Sequence, residues 1–202
     1  RLLTFILLIT IFQSLPMKIA YFDENNQKYS TRLNSAKWLN DKIISKNKTL
    51  CKTDFSPYFF PPVNFKKAIF FASKIGYKLK IFDAFRPSEA QKLLWKEYPD
   101  PNFLTPPSKG SPHSRGIAID LTLIRDNKII DMGTPFDHFS KKSYHGNTDI
   151  NISAQKNRML LLGIMTTAGW DFYKNEWWHY QLYDSKKWPI LNDKKEKTRL
   201  MC

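Results

Sequence analysis

Ser111-Pro112-His113-Ser114-Arg115-Gly116-Ile117-Ala118-Ile119-Asp120-Leu121-Thr122-Leu123 decides how this chain folds. From Ile117 the residues alternate. Ile117, Ile119, Leu121 and Leu123 point one way, and Ala118, Asp120 and Thr122 point the other. That is a period-2 strand with Asp120 on its more polar face. His113 stands seven residues before Asp120. One regular strand would put residues at that odd interval on opposite faces. Ser114-Arg115-Gly116 between them predicts a turn or bulge that brings both side chains to one centre.

A second stretch, Glu176-Trp177-Trp178-His179, supplies another imidazole and another carboxylate. It reads as part of an aromatic strand over 176–182. Glu176 and His179 then meet the same parity problem, so a kink near Asn175 is expected to turn Glu176 inward. The two stretches together offer two imidazoles, one carboxylate ligand and one spare carboxylate. A catalytic zinc site uses that inventory: three protein ligands, an open position and a base.

Other elements follow from periodicity and punctuation. Val63 to Ile75 reads as a helix that Gly76 stops. Tyr77 to Asp83 alternates as a strand, with Tyr77, Leu79 and Ile81 on one face. Pro87 opens a second helix, where Ser88 and Gln91 have capping-box spacing. Residues 99–112 form a loop rich in Pro, Ser and Gly. Asp126-Asn127-Lys128 is a turn, with 128–131 returning as a hairpin partner. A third helix begins at Ser153 and ends near Gly169. Helices flanking a small, largely antiparallel sheet make a single α+β domain.

The chain has 202 residues, 42% of them hydrophobic and 15% aromatic, enough for one core and against disorder. Its formal net charge is +14. The excess is mostly scattered lysine, such as Lys28, Lys37, Lys66, Lys78 and Lys92, which describes a solvated surface rather than a nucleic-acid groove. No nucleic-acid partner is expected. Residues 2–12 form an apolar run behind Arg1, closed by Gln13, Ser14 and Pro16. The run is short for a bilayer span and reads as a secretory leader over 1–16, or else as a buried N-terminal element. A leader places the domain, 17–190, in the periplasm or outside the cell, without membrane insertion once removed. An unexported chain stays cytoplasmic. Residues 191–202 form a charged tail. Cys51 and Cys202 allow either a disulfide or two unpaired thiols. The oligomeric state is open.

Five segments, in order, resemble the zinc D-alanyl-D-alanine dipeptidase family. They are Lys28-Tyr29-Ser30-Thr31, Asp83-Ala84-Phe85-Arg86-Pro87, Ser111 to Leu123, Met132-Gly133-Thr134-Pro135-Phe136-Asp137, and Glu176 to Tyr180. Phe85 replaces a tyrosine of the family pattern. The resemblance implies a fold shared with D-Ala-D-Ala metallopeptidases and hedgehog-like domains. It implies one Zn2+ per chain, held by His113, Asp120 and His179, with Glu176 as general base. Arg86 would steady the oxyanion, and Asp137, Ser111 and Tyr29 would hold the ammonium of a small dipeptide.

Taken alone, these residues have plainer readings. Arg86 can be an ion pair for Asp83, Asp137 a turn residue, Ser111 a loop serine and Tyr29 a surface tyrosine. Arg115 reads as a structural anchor for its turn. Trp177 and Trp178 read as one core residue and one pocket wall. His138 and His145 lack a partner at ligand spacing. Two other functions share the ligand set: a peptidoglycan D,D-carboxypeptidase or endopeptidase, and a zinc-stabilised binding module without turnover.

Overall fold

A computed structural model describes residues 62–192. The expectations for the leader, Tyr29, Cys51, Cys202 and most of the charged tail fall outside these residues. Three helices and five strands are found among them: α1 (Pro62–Lys74), β1 (Lys78–Asp83), α2 (Ser88–Glu97), β2 (Ala118–Arg125), β3 (Lys128–Ile129), α3 (Ile152–Thr167), β4 (Asp171–Phe172) and β5 (His179–Gln181). Every strand pair is antiparallel. The order across the sheet is β1-β2-β5-β4, with β3 pairing β2 as the hairpin return. The expected α+β architecture is the one observed.

β2 is the central strand and is buried from Ala118 to Leu123. Its apolar face carries Ile119, Leu121 and Leu123 into the main core. α1 contributes Phe65, Ala68 and Ala72 there, and α3 contributes Leu161, Ile164 and Met165. Trp170, Trp177, Trp178 and Tyr180 complete it. Full burial of side chains this large contributes about 1.5–3 kcal/mol for each aliphatic residue, so this face holds the sheet to its helices. The opposite face, which carries Asp120, is left for chemistry.

Several boundaries differ from the expectation, each for a local reason. Ser88 does not cap α2. Pro87 takes the cap position without a side-chain bond, and Gln91 is drawn away by Arg86. α3 begins one residue before Ser153, because Asn151 accepts the Ala154 amide and caps the helix. The aromatic strand over 176–182 shrinks to His179–Gln181. Ahead of it the chain turns, with the Glu176 amide donating to Tyr173 O and the His179 amide to Glu176 O. β4 was not anticipated; two residues carry too little pattern to reveal a strand.

Candidate active site

Asp83, Asp120 and His179 stand in one row across β1, β2 and β5. Asp83 pairs with Asp120, and Asp120 pairs with His179. Paired residues of adjacent strands share a face, so all three side chains lie on the side away from the main core. Asp83 reaches this face through a register shift between Ile81 and Asp83. Ile81 pairs with Leu121 and packs against the core. A regular strand would have sent Asp83 the same way.

His113 arrives from a short 3-10 turn, His113–Arg115, that ends at Gly116 with φ +67°. The turn, not a bulge, resolves the odd spacing to Asp120. That left-handed conformation suits glycine. Arg115 anchors the turn as expected, donating to the carbonyls of Trp188 and Lys109. The Ser111 hydroxyl accepts the His113 amide at 3.2 Å.

Three ligand atoms converge. His113 Nε2 lies 3.1 Å from His179 Nδ1 and 3.3 Å from Asp120 Oδ2. His179 Nδ1 lies 3.0 Å from Asp120 Oδ1. Tetrahedral zinc with bonds of about 2.0–2.1 Å places its ligand atoms roughly 3.3 Å apart. The remote ring nitrogens are also informative. His113 Nδ1 sits 2.7 Å from Ala84 O, and His179 Nε2 sits 3.1 Å from Gln181 Oε1. Each remote nitrogen therefore donates a proton outward, and two bare lone pairs point at one another beside a carboxylate. Such a cluster is repulsive without a cation and suited to one. The three residues fit a divalent metal ion.

Glu176 is 5% exposed, with Oε2 3.9 Å from His179 Nδ1. The turn before β5 brings Glu176 and His179, three residues apart, to the same side; no kinked strand is needed. Burial, then the charges of Asp120 and Asp137, holds the Glu176 carboxyl well above its ordinary pKa. Burial also pushes Asp120 up, but positive charge placed between it and His113 and His179 outweighs burial and holds this carboxyl below the usual range.

Arg86 follows the β1 bulge. Its Nε donates to Asp83 Oδ2 at 2.8 Å, and its Nη2 meets the same oxygen at 2.6 Å. Nη1 donates to Gln91 Oε1 at 2.9 Å. These contacts use three of the five N–H groups that a guanidinium carries. Arg86 is thus both an ion pair for Asp83 and a lining residue of the pocket.

The pocket is a cavity of about 150 Å3. It brings together His113, Asp120, His179, Glu176, Arg86, Asp137 and Ser111. Trp178 lines it while Trp177 is buried in the core, donating its indole N–H to Thr134 Oγ1. Phe103, Phe139 and Tyr173 supply aromatic walls that sequence reasoning did not single out. Gln91 and Gln181 were missed as well. Gln181 was detectable, since it stands two residues after His179 on one strand and so shares its face. Asp137 sits in a left-handed turn at φ +59°. Burial, then the nearby Asp120 carboxylate, raises its pKa well above the ordinary value, against the pull of Arg86.

Converging imidazoles and a carboxylate, with a spare buried carboxylate beside them, make up the donor set and base of a metal-dependent hydrolase. Comparison with known sequences gives the particular family. The chain belongs to the D-ala-D-ala dipeptidase family, peptidase family M15, which it matches over residues 23–198. It is 42% identical over 128 residues to a D-alanyl-D-alanine dipeptidase of Escherichia coli K12, covering 63% of this chain and 66% of that protein. It is 36% identical to the Enterococcus faecium D-alanyl-D-alanine dipeptidase, covering 58% and 68%. For the Enterococcus faecalis protein of the same name the identity is 33%, covering 59% and 69%. The chain thus spans about two thirds of these relatives. No helix among the described residues is long and apolar enough to cross a membrane.

Proposed function

We propose that this chain is a zinc-dependent dipeptidase that hydrolyses D-alanyl-D-alanine, or a similar short D-containing dipeptide, to free amino acids. The supporting observation is the company that the ligand triad keeps. One small cavity is lined by Glu176 for proton transfer, Arg86 for developing negative charge and Asp137 for an ammonium. The Asp137 carboxylate in that cavity, an acceptor for a free ammonium, favours a dipeptide over a wall polymer.

His113, Asp120 and His179 would hold the metal, which supplies Lewis-acid chemistry that acidifies a water and polarises the scissile carbonyl. Glu176 accepts the proton lost by the attacking water. Its raised pKa makes it a competent carrier, able to keep that proton and then deliver it to the leaving amine nitrogen. The C–N bond breaks as that nitrogen is protonated. Arg86 directs its remaining N–H groups at the oxygen that turns anionic, and Asp83 and Gln91 hold the guanidinium in place. Asp137 pairs with the substrate ammonium, whose charge offsets the burial and the carboxylate repulsion that raise its pKa. Ser111 Oγ accepts the His113 amide with one lone pair and keeps its second to accept from the same ammonium. Tyr29 is assigned to the same ammonium by family resemblance alone. The apolar run at residues 2–12 supports a periplasmic or secreted site of action.

A substrate panel with zinc-loaded protein tests the reading. D-Ala-D-Ala is expected to release free D-Ala, and its N-acetyl form to be a far poorer substrate. Equal cleavage of the two would replace the dipeptidase reading with a D,D-carboxypeptidase.

A further inference from the structure

Arg158 is a buried cation that the proposed chemistry does not use. It lies on α3 and is fully buried. Burial lowers its pKa to about 10, with Asp131 opposing, so it stays charged at neutral pH. Among the described residues its hydrogen-bond partners are neutral oxygens. Nε donates to Met132 O at 2.7 Å. Nη1 donates to Lys142 O and Tyr144 O, both at 2.9 Å. Nη2 reaches Thr134 Oγ1 at 3.5 Å. Burying a guanidinium is costly unless its donors are satisfied. A methionine or leucine would fill the same space in the core, so the spending of these donors needs a reason.

All four acceptors belong to one loop, and they flank Asp137 on both sides. Met132 and Thr134 precede it; Lys142 and Tyr144 follow it. Further contacts tighten the same loop. Thr134 Oγ1 lies 3.1 Å from Ser143 Oγ, which donates to His138 O. Phe136 stacks on Phe82 with ring centroids 4.5 Å apart. Between these fixed points Asp137 holds a positive φ, so the path of the loop on either side of it decides where its side chain is aimed.

We propose that Arg158 is a positioning residue for the substrate-ammonium subsite. It ties both feet of the 132–144 loop to α3, and so sets where the Asp137 carboxylate stands in the pocket. This rests on Asp137 being the ammonium acceptor.

Two ligands separate a positioning role from a merely structural one: D-Ala-D-Ala, and propionyl-D-alanine, which lacks only the amine. For Arg158→Lys, the KM for D-Ala-D-Ala is expected to rise about tenfold with kcat within about threefold, the pattern of lost substrate binding. The inhibition constant of propionyl-D-alanine should stay unchanged. Thr134→Val, a smaller lesion in the same network, should move KM in the same direction should the lysine variant fail to fold. A fall in kcat alone, or equal weakening of both ligands, would overturn the proposal. Asp137→Asn in the otherwise native protein keeps the two readings apart. An unchanged KM there removes the ammonium reading itself. A raised KM there, with Arg158→Lys unaffected, removes only the role of Arg158.

Discussion

Gln181 Oε1 lies 3.1 Å from His179 Nε2, on the side of the imidazole remote from the ligand cluster. An amide oxygen accepts, so the ring proton belongs on Nε2 and Nδ1 is left bare for a metal. Removal of such an outer partner costs about 10–100-fold in metal affinity. Gln181→Leu is expected to lose zinc affinity by that order in a chelator competition. Gln181→Glu, which still offers an accepting oxygen, should hold zinc at least as well as the native protein. A leucine variant that binds zinc like the native chain would show that the tautomer is set by something else.

In the proposed mechanism Glu176 moves protons without touching the outer partners of His113 and His179. Glu176→Ala should therefore separate chemistry from metal binding. Turnover of D-Ala-D-Ala is expected to fall by about 10²–10⁴-fold, the usual contribution of a general base, while zinc content by elemental analysis stays at one per chain. Full activity in this variant would remove the proposed proton path. Loss of zinc together with activity would make Glu176 a ligand.

Much of this site was readable in the chain because its signals are local. Alternation from Ile117 to Leu123 put Asp120 on the face opposite the apolar residues, and that is where it lies. Gly116 announced a turn between two ligands, and it takes a positive φ. The unreadable parts depend on partners distant in sequence. The register shift that turns Asp83 towards Asp120 involves a strand nearly forty positions away. Gln91 has the spacing of a capping residue, but Arg86 and the Thr105 carbonyl compete for it and win. Arg158 did leave a trace. Ala154, Arg158, Leu161 and Met165 follow helical spacing and are all buried. A charged residue on the apolar stripe of a helix is a sign that its donors are in use.

Gly133 sits at the foot of the Asp137 loop with φ +79°. A Cβ there would stand 2.9 Å from Ile150 Cβ and 3.1 Å from Ala154 Cβ. Both obstacles are the rigid first atoms of their side chains. Gly133→Ala therefore combines left-handed strain with a clash, and a loss of about 1–3 kcal/mol is expected. Thermal or urea denaturation measures it. Since Gly133 N also donates to Asp131 Oδ1, the KM for D-Ala-D-Ala should rise as well. An alanine variant with native stability would mean that the loop can shift freely.

His145 makes stability depend on pH. It is buried against Phe172 and Tyr180, with ring centroids 5.1 and 6.1 Å away. Burial, then the charge of Arg158, lowers its pKa from 6.5 to about 4. A depressed histidine pKa means that the folded state refuses a proton which the unfolded chain accepts. Above pH 6.5 both states are neutral and the group has no effect. As pH falls from 6.5 towards 4 only the unfolded state gains the proton, so stability is lost across that window, on the order of 3 kcal/mol in all. Below pH 4 both states are protonated and the loss stops growing. Urea denaturation of the metal-free protein between pH 7 and 4 should show this acid limb, and His145→Phe should flatten it. Parallel pH profiles for the two proteins would mean that the folded state admits a charged imidazole at this position.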